Sequence, residues 1–179
     1  LHGALKAAQQ AHLIASNPTE QIIAPRFSYR AKQVLTDEQL DVFMKVIAED
    51  EIWCDFFYTE LTTGLRRGEI CGLKWEDFDE VNGTLNVCRT VYRETGGGLT
   101  VGDTKTNAGT RKIVLPSSTV ALLSKRKALA LTEWIFPNPL KPEQPTNPGS
   151  AYRHLKVLLK QAGLPNIRFH DLRHTFATH

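Results

Sequence analysis

Thr63-Gly64-Leu65-Arg66-Arg67-Gly68-Glu69-Ile70 is the stretch on which the organisation of this chain depends. An apolar helix predicted over residues 52–61 ends at its Thr-Gly pair, and another helix is predicted to begin near Arg67. Arg66 therefore stands at a helix start, where its side chain and the nearby backbone N–H groups can converge on an anion. Glu69, three residues on, is placed to orient a guanidinium group. Taken alone, the segment also fits an ordinary surface arginine.

Upstream of this stretch, the chain reads as two helical segments joined by a linker. Residues 1–13 carry apolar side chains at helical spacing, and Asn17-Pro18 stops that pattern. The next helix opens at Thr36, a good N-cap residue, and Gln39 completes a capping box. We therefore expect residues 25–34 to form a linker between the two helical segments.

Downstream, the pattern changes to short strands and then returns to helices. The predicted strands are 84–88, 99–105 and 111–115, with Asn107-Ala108-Gly109 as a hairpin turn between the last two. The predicted helices are 118–131, 150–162 and one beginning near His170, and the proline-rich residues 137–149 are predicted as a loop. The fold class is therefore α+β, mainly helical with a small antiparallel three-stranded sheet.

Two further segments hold polar groups that a generic core does not need. Lys105 is predicted beside the hairpin tip, where it can reach into a groove, although a single hairpin lysine is usually only solvated. Near the C-terminus, His170 and Arg173 are predicted about one turn apart at the start of a helix. His174 and His179, in the same segment, fit structural histidines equally well.

Composition and charge narrow the class of protein. The chain has 179 residues, 41% of them hydrophobic, and a net charge of +3. It contains neither a signal peptide nor an apolar run of the roughly 20 residues needed to span a bilayer. Residues 36–51 carry six acidic residues against one lysine, whereas residues 104–132 carry six basic residues and no acidic one. A polyanion is expected to approach the basic side, which includes Arg111 and Lys112.

The three cysteines are Cys54, Cys71 and Cys88, an odd number in apolar surroundings. They are interpreted as buried free thiols of a protein from a reducing cytoplasm.

Taken together in this order, the motifs resemble those of the tyrosine recombinase family, most closely the phage and conjugative-transposon integrases. The resemblance rests on Thr-Gly-Leu-Arg-x-x-Glu-Ile-x-x-Leu-x-Trp-x-Asp, a hairpin Lys-Thr followed by an arginine, and His-x-Leu-Arg-His-Thr-Phe-Ala-Thr-His. It covers nearly the whole chain. It implies that residues 1–24 end a helical core-binding domain that grips DNA, 25–34 form a linker, and 35–179 are the catalytic domain.

The resemblance also assigns roles to individual residues. Arg66 and Arg173 match the two arginines that clamp the scissile phosphate, which suits the charge of a phosphorane-like transition state. Lys105 matches the lysine that protonates the leaving 5′ oxygen, and His170 matches the histidine that assists proton transfer. Glu69 matches a supporting acidic position. Arg67, together with Arg111 and Lys112 of the basic stretch, is expected to contact DNA.

The implied reaction is site-specific DNA integration through a 3′-phosphotyrosyl intermediate, without metal, nucleotide or other cofactor. The resemblance implies duplex DNA as the partner, a homotetramer on DNA, accessory DNA-bending or excisionase proteins, no membrane association, and a cytoplasmic location at the bacterial nucleoid. The family's tyrosine, and a further histidine or tryptophan, are expected beyond His179. The tyrosines at positions 29, 58, 92 and 152 all lie upstream of the His-x-x-Arg motif, whereas the family's tyrosine follows it. Residues 1–179 alone are therefore expected to bind DNA without cleaving it.

Three alternative functions remain open. A zinc enzyme is one, because His170 and His174 are four apart, although Asp171 stands where the zinc-protease motif needs glutamate. A non-catalytic DNA-binding protein or decayed integrase with the same fold is another. A type IB topoisomerase is the third, but the residues of the motifs match those of the integrases better.

Overall fold

The protein is divided into two compact units, Leu1–Ala31 and Lys32–His179. A computed structural model describes residues 1–22, 34–103 and 110–178, with side chains as far as residue 175. In the first unit, the turn after the initial helix is closed by Asn17 Oδ1, which accepts hydrogen bonds from the backbone N–H and the hydroxyl of Thr19 at 3.0 and 2.7 Å. The division between the units falls within the predicted linker, most of which lies outside the described residues.

The helices follow the predicted pattern, with shifted ends. They are α1 (His2–Gln10), α2 (Asp37–Ala48), α3 (Cys54–Thr63), α4 (Arg67–Cys71), α5 (Ser117–Lys127), α6 (Pro148–Gln161) and α7 (Phe169–Thr178). The capping box of α2 is confirmed: the backbone N–H of Gln39 donates to Thr36 Oγ1 at 3.3 Å, and that of Thr36 donates to Gln39 Oε1 at 3.1 Å. No described helix is both long and apolar enough to cross a membrane.

The strands pair differently from the prediction. They are β1 (Phe78–Asp79), β2 (Thr84–Val87), β3 (Arg89–Arg93), β4 (Leu99–Asp103), β5 (Arg111–Val114), β6 (Pro137–Asn138) and β7 (Lys141–Pro145). The three-stranded antiparallel sheet has the order β1-β2-β5, and β4 pairs instead with β3. The reason is local: a tight turn at residues 94–98, closed by hydrogen bonds of Glu94 with Gly97 and Gly98, joins β3 directly to β4.

The proline-rich stretch 137–149 is not simply a loop, because β6 and β7 form a small hairpin within it. Prolines are tolerated in such edge strands, where a missing N–H leaves no ladder hydrogen bond unmade. The preceding run Trp134-Ile135-Phe136 is buried, as predicted. The turn predicted at residues 107–109 lies outside the described residues.

An aromatic cluster fixes the helices around the core of the second unit. Phe56 and Phe57 of α3 each lie 6.3 Å, between ring centroids, from Phe169 of α7. Phe43 of α2 meets Phe57 edge-on at 6.2 Å. The edge-to-face contacts Phe43–Phe57 and Phe56–Phe169 add about 0.5–1.5 kcal/mol each beyond the area that they bury. The cluster therefore holds α7, which carries the C-terminal motif, against α3, which leads into the motif at residues 63–70.

The cysteines are free thiols. Cys71 is buried, as predicted, whereas Cys54 and Cys88 are only partly buried.

Candidate functional site

The candidate site begins where α3 turns into α4. Gly64 ends α3 with φ of 56°, the left-handed conformation that glycine adopts without steric cost. Two residues later Arg66 is the N-cap of α4, and its backbone N–H donates to Glu69 Oε2 at 2.9 Å. Arg66 Nη1 donates to Glu69 Oε1 at 2.8 Å, yet 61% of the Arg66 side chain remains exposed. The guanidinium is thus aimed by a buried carboxylate while still open to a ligand.

Glu69 also binds a second arginine, which comes from the sheet. Arg111 of β5 donates to both carboxylate oxygens of Glu69, at 3.0 and 2.8 Å. Burial by itself raises the pKa of Glu69, but the hydrogen bonds from Arg111 and Arg66 outweigh it and lower that pKa to about 2. The carboxylate is therefore ionised at any physiological pH and joins α4 to β5.

Arg173 reaches the same turn from α7. Its Nη1 donates to the backbone carbonyl of Gly64 at 2.6 Å, across 109 residues of sequence. That carbonyl lies two residues before Arg66, so the structure brings the arginines of both motifs to one turn. Each guanidinium group has five N–H donors, more than the bonds described above use. The pair is therefore suited to binding a phosphate through charge-assisted hydrogen bonds.

The start of α7 repeats the arrangement at the start of α4. The backbone N–H of Arg168 donates to Asp171 Oδ2 at 2.8 Å, and its guanidinium donates to the same carboxylate at 3.1 and 3.0 Å. Burial tends to raise the pKa of Asp171, but the bonds from Arg168 prevail and the pKa is lowered. Sequence reasoning missed this pair, although Arg168-x-x-Asp171 has the same spacing as Arg66-x-x-Glu69.

His170 is exposed on the first turn of α7, and its ring contacts that of His174 edge-on, with centroids 4.6 Å apart. The described residues contain no group of three or more His, Cys, Asp or Glu side chains placed to hold a metal ion. Asp171, which would have to serve as the base of a zinc protease, is instead committed to Arg168. This geometry does not favour the zinc alternative.

The remaining predicted site residues are placed as follows. Arg67 is exposed next to Arg66, with its guanidinium carbon 5.6 Å from the ring centroid of Tyr152 on α6. Lys112 follows Arg111 on β5 and so projects from the opposite face of the sheet. On that face, hydrogen bonds from Asn82 lower the pKa of Asp79, and the positive charge of Lys112 lowers it further. Lys105 lies outside the described residues.

Known proteins share this fold. The structure of the Tn1549 transposon integrase in complex with transposon right end DNA superposes with a TM-score of 0.85 at 25% identity, covering 99% of this chain and 62% of that one. Other structural neighbours are lambda integrase structures, with TM-scores up to 0.68. The α+β fold is therefore that of the tyrosine recombinase catalytic domains.

Sequence relatives carry related names. A prophage phiRv2 integrase of Mycobacterium tuberculosis is 28% identical, covering 99% of this chain and 48% of that protein. Tyrosine recombinase XerC of Xylella fastidiosa is 26% identical, covering 93% of this chain and 53% of its own length. The chain spans about half the length of the curated relatives it matches. The sequence profile described as "Phage integrase family" matches residues 33–179, and the chain belongs to that family.

Proposed function

We propose that the protein catalyses site-specific recombination of duplex DNA, as an integrase that cleaves and rejoins strands through a 3′-phosphotyrosyl intermediate. The observation that carries the proposal is the hydrogen bond from Arg173 to the carbonyl of Gly64, which brings two distant arginines to one turn. Glu69 supports the same conclusion, because it aims Arg66 while Arg111 holds the carboxylate in place.

In this proposal, Arg66 and Arg173 bind the non-bridging oxygens of the scissile phosphate and stabilise the charge that develops there. A tyrosine oxygen forms a bond to phosphorus while the bond from phosphorus to the 5′ oxygen breaks. His170 assists the proton transfer, and Lys105 gives a proton to the leaving oxygen. The 5′ hydroxyl of another strand then attacks the phosphotyrosine and releases the tyrosine, so the phosphodiester is restored without an external energy source.

The proposed organisation of the whole protein follows from the same family. Residues 1–24 are proposed to end a core-binding domain, 25–34 to be a linker, and 35–179 to belong to the catalytic domain. The compact unit that begins at Lys32 and the family match that begins at residue 33 support this division. A homotetramer on DNA, accessory DNA-bending or excisionase proteins, and action at the bacterial nucleoid complete the proposal. One structural neighbour is a lambda integrase tetramer bound to a Holliday junction, which supports the tetramer.

The test is strand cleavage by the product of the whole gene, since the chain spans only about half of its relatives. Arg66→Ala and Arg173→Ala are each expected to reduce formation of the covalent DNA adduct by at least about 100-fold, because each removes donors to the reacting phosphate. Both variants are expected to keep most of their affinity for duplex DNA, because other phosphate contacts remain.

Lys45→Ala, in the acidic helix α2, is the control and is expected to cleave at the native rate. Native-rate cleavage by either arginine variant would show that the site is assigned to the wrong residues. Duplex binding without any adduct from the native protein would instead favour a non-catalytic DNA-binding protein.

A further inference from the structure

Glu60, in the last turn of α3, is a carboxyl group sealed inside the protein. Its relative exposure is 0%, although the other buried side chains of α3 are aromatic, aliphatic or threonine. Within the described part of the chain, neither carboxyl oxygen has a hydrogen-bond partner. A buried polar group without a partner costs stability, and in a native protein it calls for an explanation.

The packing of α3 against α7 brings this carboxyl within reach of the positive charge of Arg173. The contact begins where Phe56 and Phe57 meet Phe169, at 6.3 Å between centroids. Residues four apart lie on the same face of a helix. Glu60 therefore lies on the face of α3 that carries Phe56, and Arg173 lies on the face of α7 that carries Phe169. Arg173 donates to the carbonyl of Gly64, which is one turn beyond Glu60. Glu60 therefore lies beneath the turn to which Arg173 is attached.

The charges around Glu60 connect it to the candidate phosphate site. Burial raises the pKa of Glu60 well above its usual range, the positive charge of Arg173 on α7 opposes that rise, and the negative charge of Glu69 on α4 adds to it. Cys71 of α4 is the other titratable neighbour: burial raises its pKa, and Glu60 raises it further. The carboxyl is held toward its neutral form, and Arg173 is the group that favours its ionisation.

We propose that Glu60 is a positioning residue for Arg173. In its ionised form, the carboxylate of Glu60 competes with a DNA phosphate for the guanidinium of Arg173. Neutral Glu60 leaves the guanidinium available to the phosphate, whereas ionised Glu60 draws it toward the interior. A bound phosphate adds negative charge near Glu60, so at a pH where Glu60 is ionised in the free protein, DNA binding is accompanied by uptake of up to one proton from solvent onto this carboxylate. The inference rests on the proposed phosphate-binding role of Arg173.

The first arm of the test needs no DNA. The carboxyl carbon of Glu60 is followed by ¹³C NMR against pH in the native chain and in Arg173→Gln. Removal of the guanidinium is expected to shift the Glu60 titration to higher pH, because the charge that favours the carboxylate is lost. A titration that stays at the same pH in Arg173→Gln overturns the coupling, whatever the function of the protein.

The second arm measures the affinity for a short duplex oligonucleotide against pH. The native affinity is expected to fall by roughly two- to threefold in total as the pH rises through the titration of Glu60, because Arg173 supplies only a minor share of the affinity. In Glu60→Gln this part of the pH dependence of the affinity is expected to vanish, while any part due to other groups remains. Glu60→Leu gives a second variant without a titrating group, and circular dichroism checks that each variant folds.

Thr84→Val is the matched control, because the Thr84 hydroxyl is also buried without a partner within the described structure but lies on β2. It is expected to keep the native slope. Binding with an unchanged slope in both Glu60→Gln and Glu60→Leu overturns the inference and leaves the proposed function standing. A native chain that binds no duplex at any pH overturns the proposed function, and the NMR arm then still decides whether Glu60 and Arg173 are coupled.

Discussion

At the scale of single residues, Glu69 is the centre of the candidate site. Its carboxylate is 3% exposed and binds the guanidinium groups of Arg66 and Arg111 as well as one backbone N–H. A buried carboxylate in this position is stable only because its hydrogen-bonding capacity is filled by charged donors. The same bonds engage both terminal nitrogens of Arg111 with Glu69, and contact between Arg111 and DNA remains a prediction.

We predict that Glu69→Gln lowers the free energy of unfolding at pH 7 by roughly 2–3 kcal/mol. The folded-state pKa of Glu69 is lowered to about 2, so its stabilising effect is present above the unfolded-state pKa of about 4.5 and is lost as the pH falls towards 2. Urea denaturation at several pH values is expected to show the native and variant stabilities converging over that window. Glu80→Gln, at an exposed position, is the control and is expected to change stability by less than about 0.5 kcal/mol. An equal loss at pH 2 and pH 7 would contradict the ion-pair explanation.

At the scale of elements, the position of α4 depends on how closely it lies on β3. A Cβ atom added at Gly68 would stand 2.7 Å from the carbonyl oxygen of Val91 and would also collide with the Thr90 hydroxyl. Glycine is therefore required here by close approach of a backbone, and this contact helps to set where Arg66 begins α4.

We predict that Gly68→Ala destabilises the protein by about 1–3 kcal/mol, because α4 must move away from β3 to accommodate the methyl group. The same movement is expected to reduce strand cleavage by the product of the whole gene, because it displaces Arg66. Thermal unfolding and a strand-cleavage assay measure the two effects. Gly96→Ala is the matched control, since no atom lies within 4 Å of the added Cβ. Gly68→Ala with the stability and cleavage rate of Gly96→Ala would contradict the packing argument.

At the scale of the whole molecule, folding redistributes the charge that the sequence shows. The basic run 104–132 loses part of its free charge, because Arg111 is paired with Glu69 and Arg126 with Asp55 at 2.8 Å. Arg67, by contrast, is exposed beside the candidate site. The polyanion-binding surface is therefore expected to be centred on the starts of α4 and α7 more than on the basic run as a whole.

We predict that Arg67→Ala weakens binding to duplex DNA and reduces the slope of log K against log salt concentration by about 0.9, the value for one phosphate contact. Fluorescence anisotropy with an unrelated duplex sequence measures this, since phosphate contacts are independent of sequence. Lys45→Ala, in the acidic segment, is expected to keep the native slope. An unchanged slope in Arg67→Ala would remove Arg67 from the set of phosphate contacts.

The helices and the identity of the motif residues were predictable from sequence because they depend on local signals. Thr36 with Gln39 marked the start of α2, and Gly64 marked the end of α3, since capping and left-handed turns involve residues a few positions apart. The strand partners were predicted wrongly: β4 pairs with β3, because the tight turn at residues 94–98 makes a hairpin of these two strands. The family, in turn, was recognisable because its motifs keep their order along the chain.

What the sequence determined by itself is therefore the set of groups available: two arginine motifs, a histidine, an acidic partner, and helices bounded by their caps. How those groups are connected depends on the packing of the folded chain. The bonds from Arg173 to Gly64 and from Arg111 to Glu69 span 109 and 42 residues. The burial of Glu60 likewise depends on α7 packing against α3. Pairings over such distances depend on which surfaces the core brings together, and no local spacing encodes them.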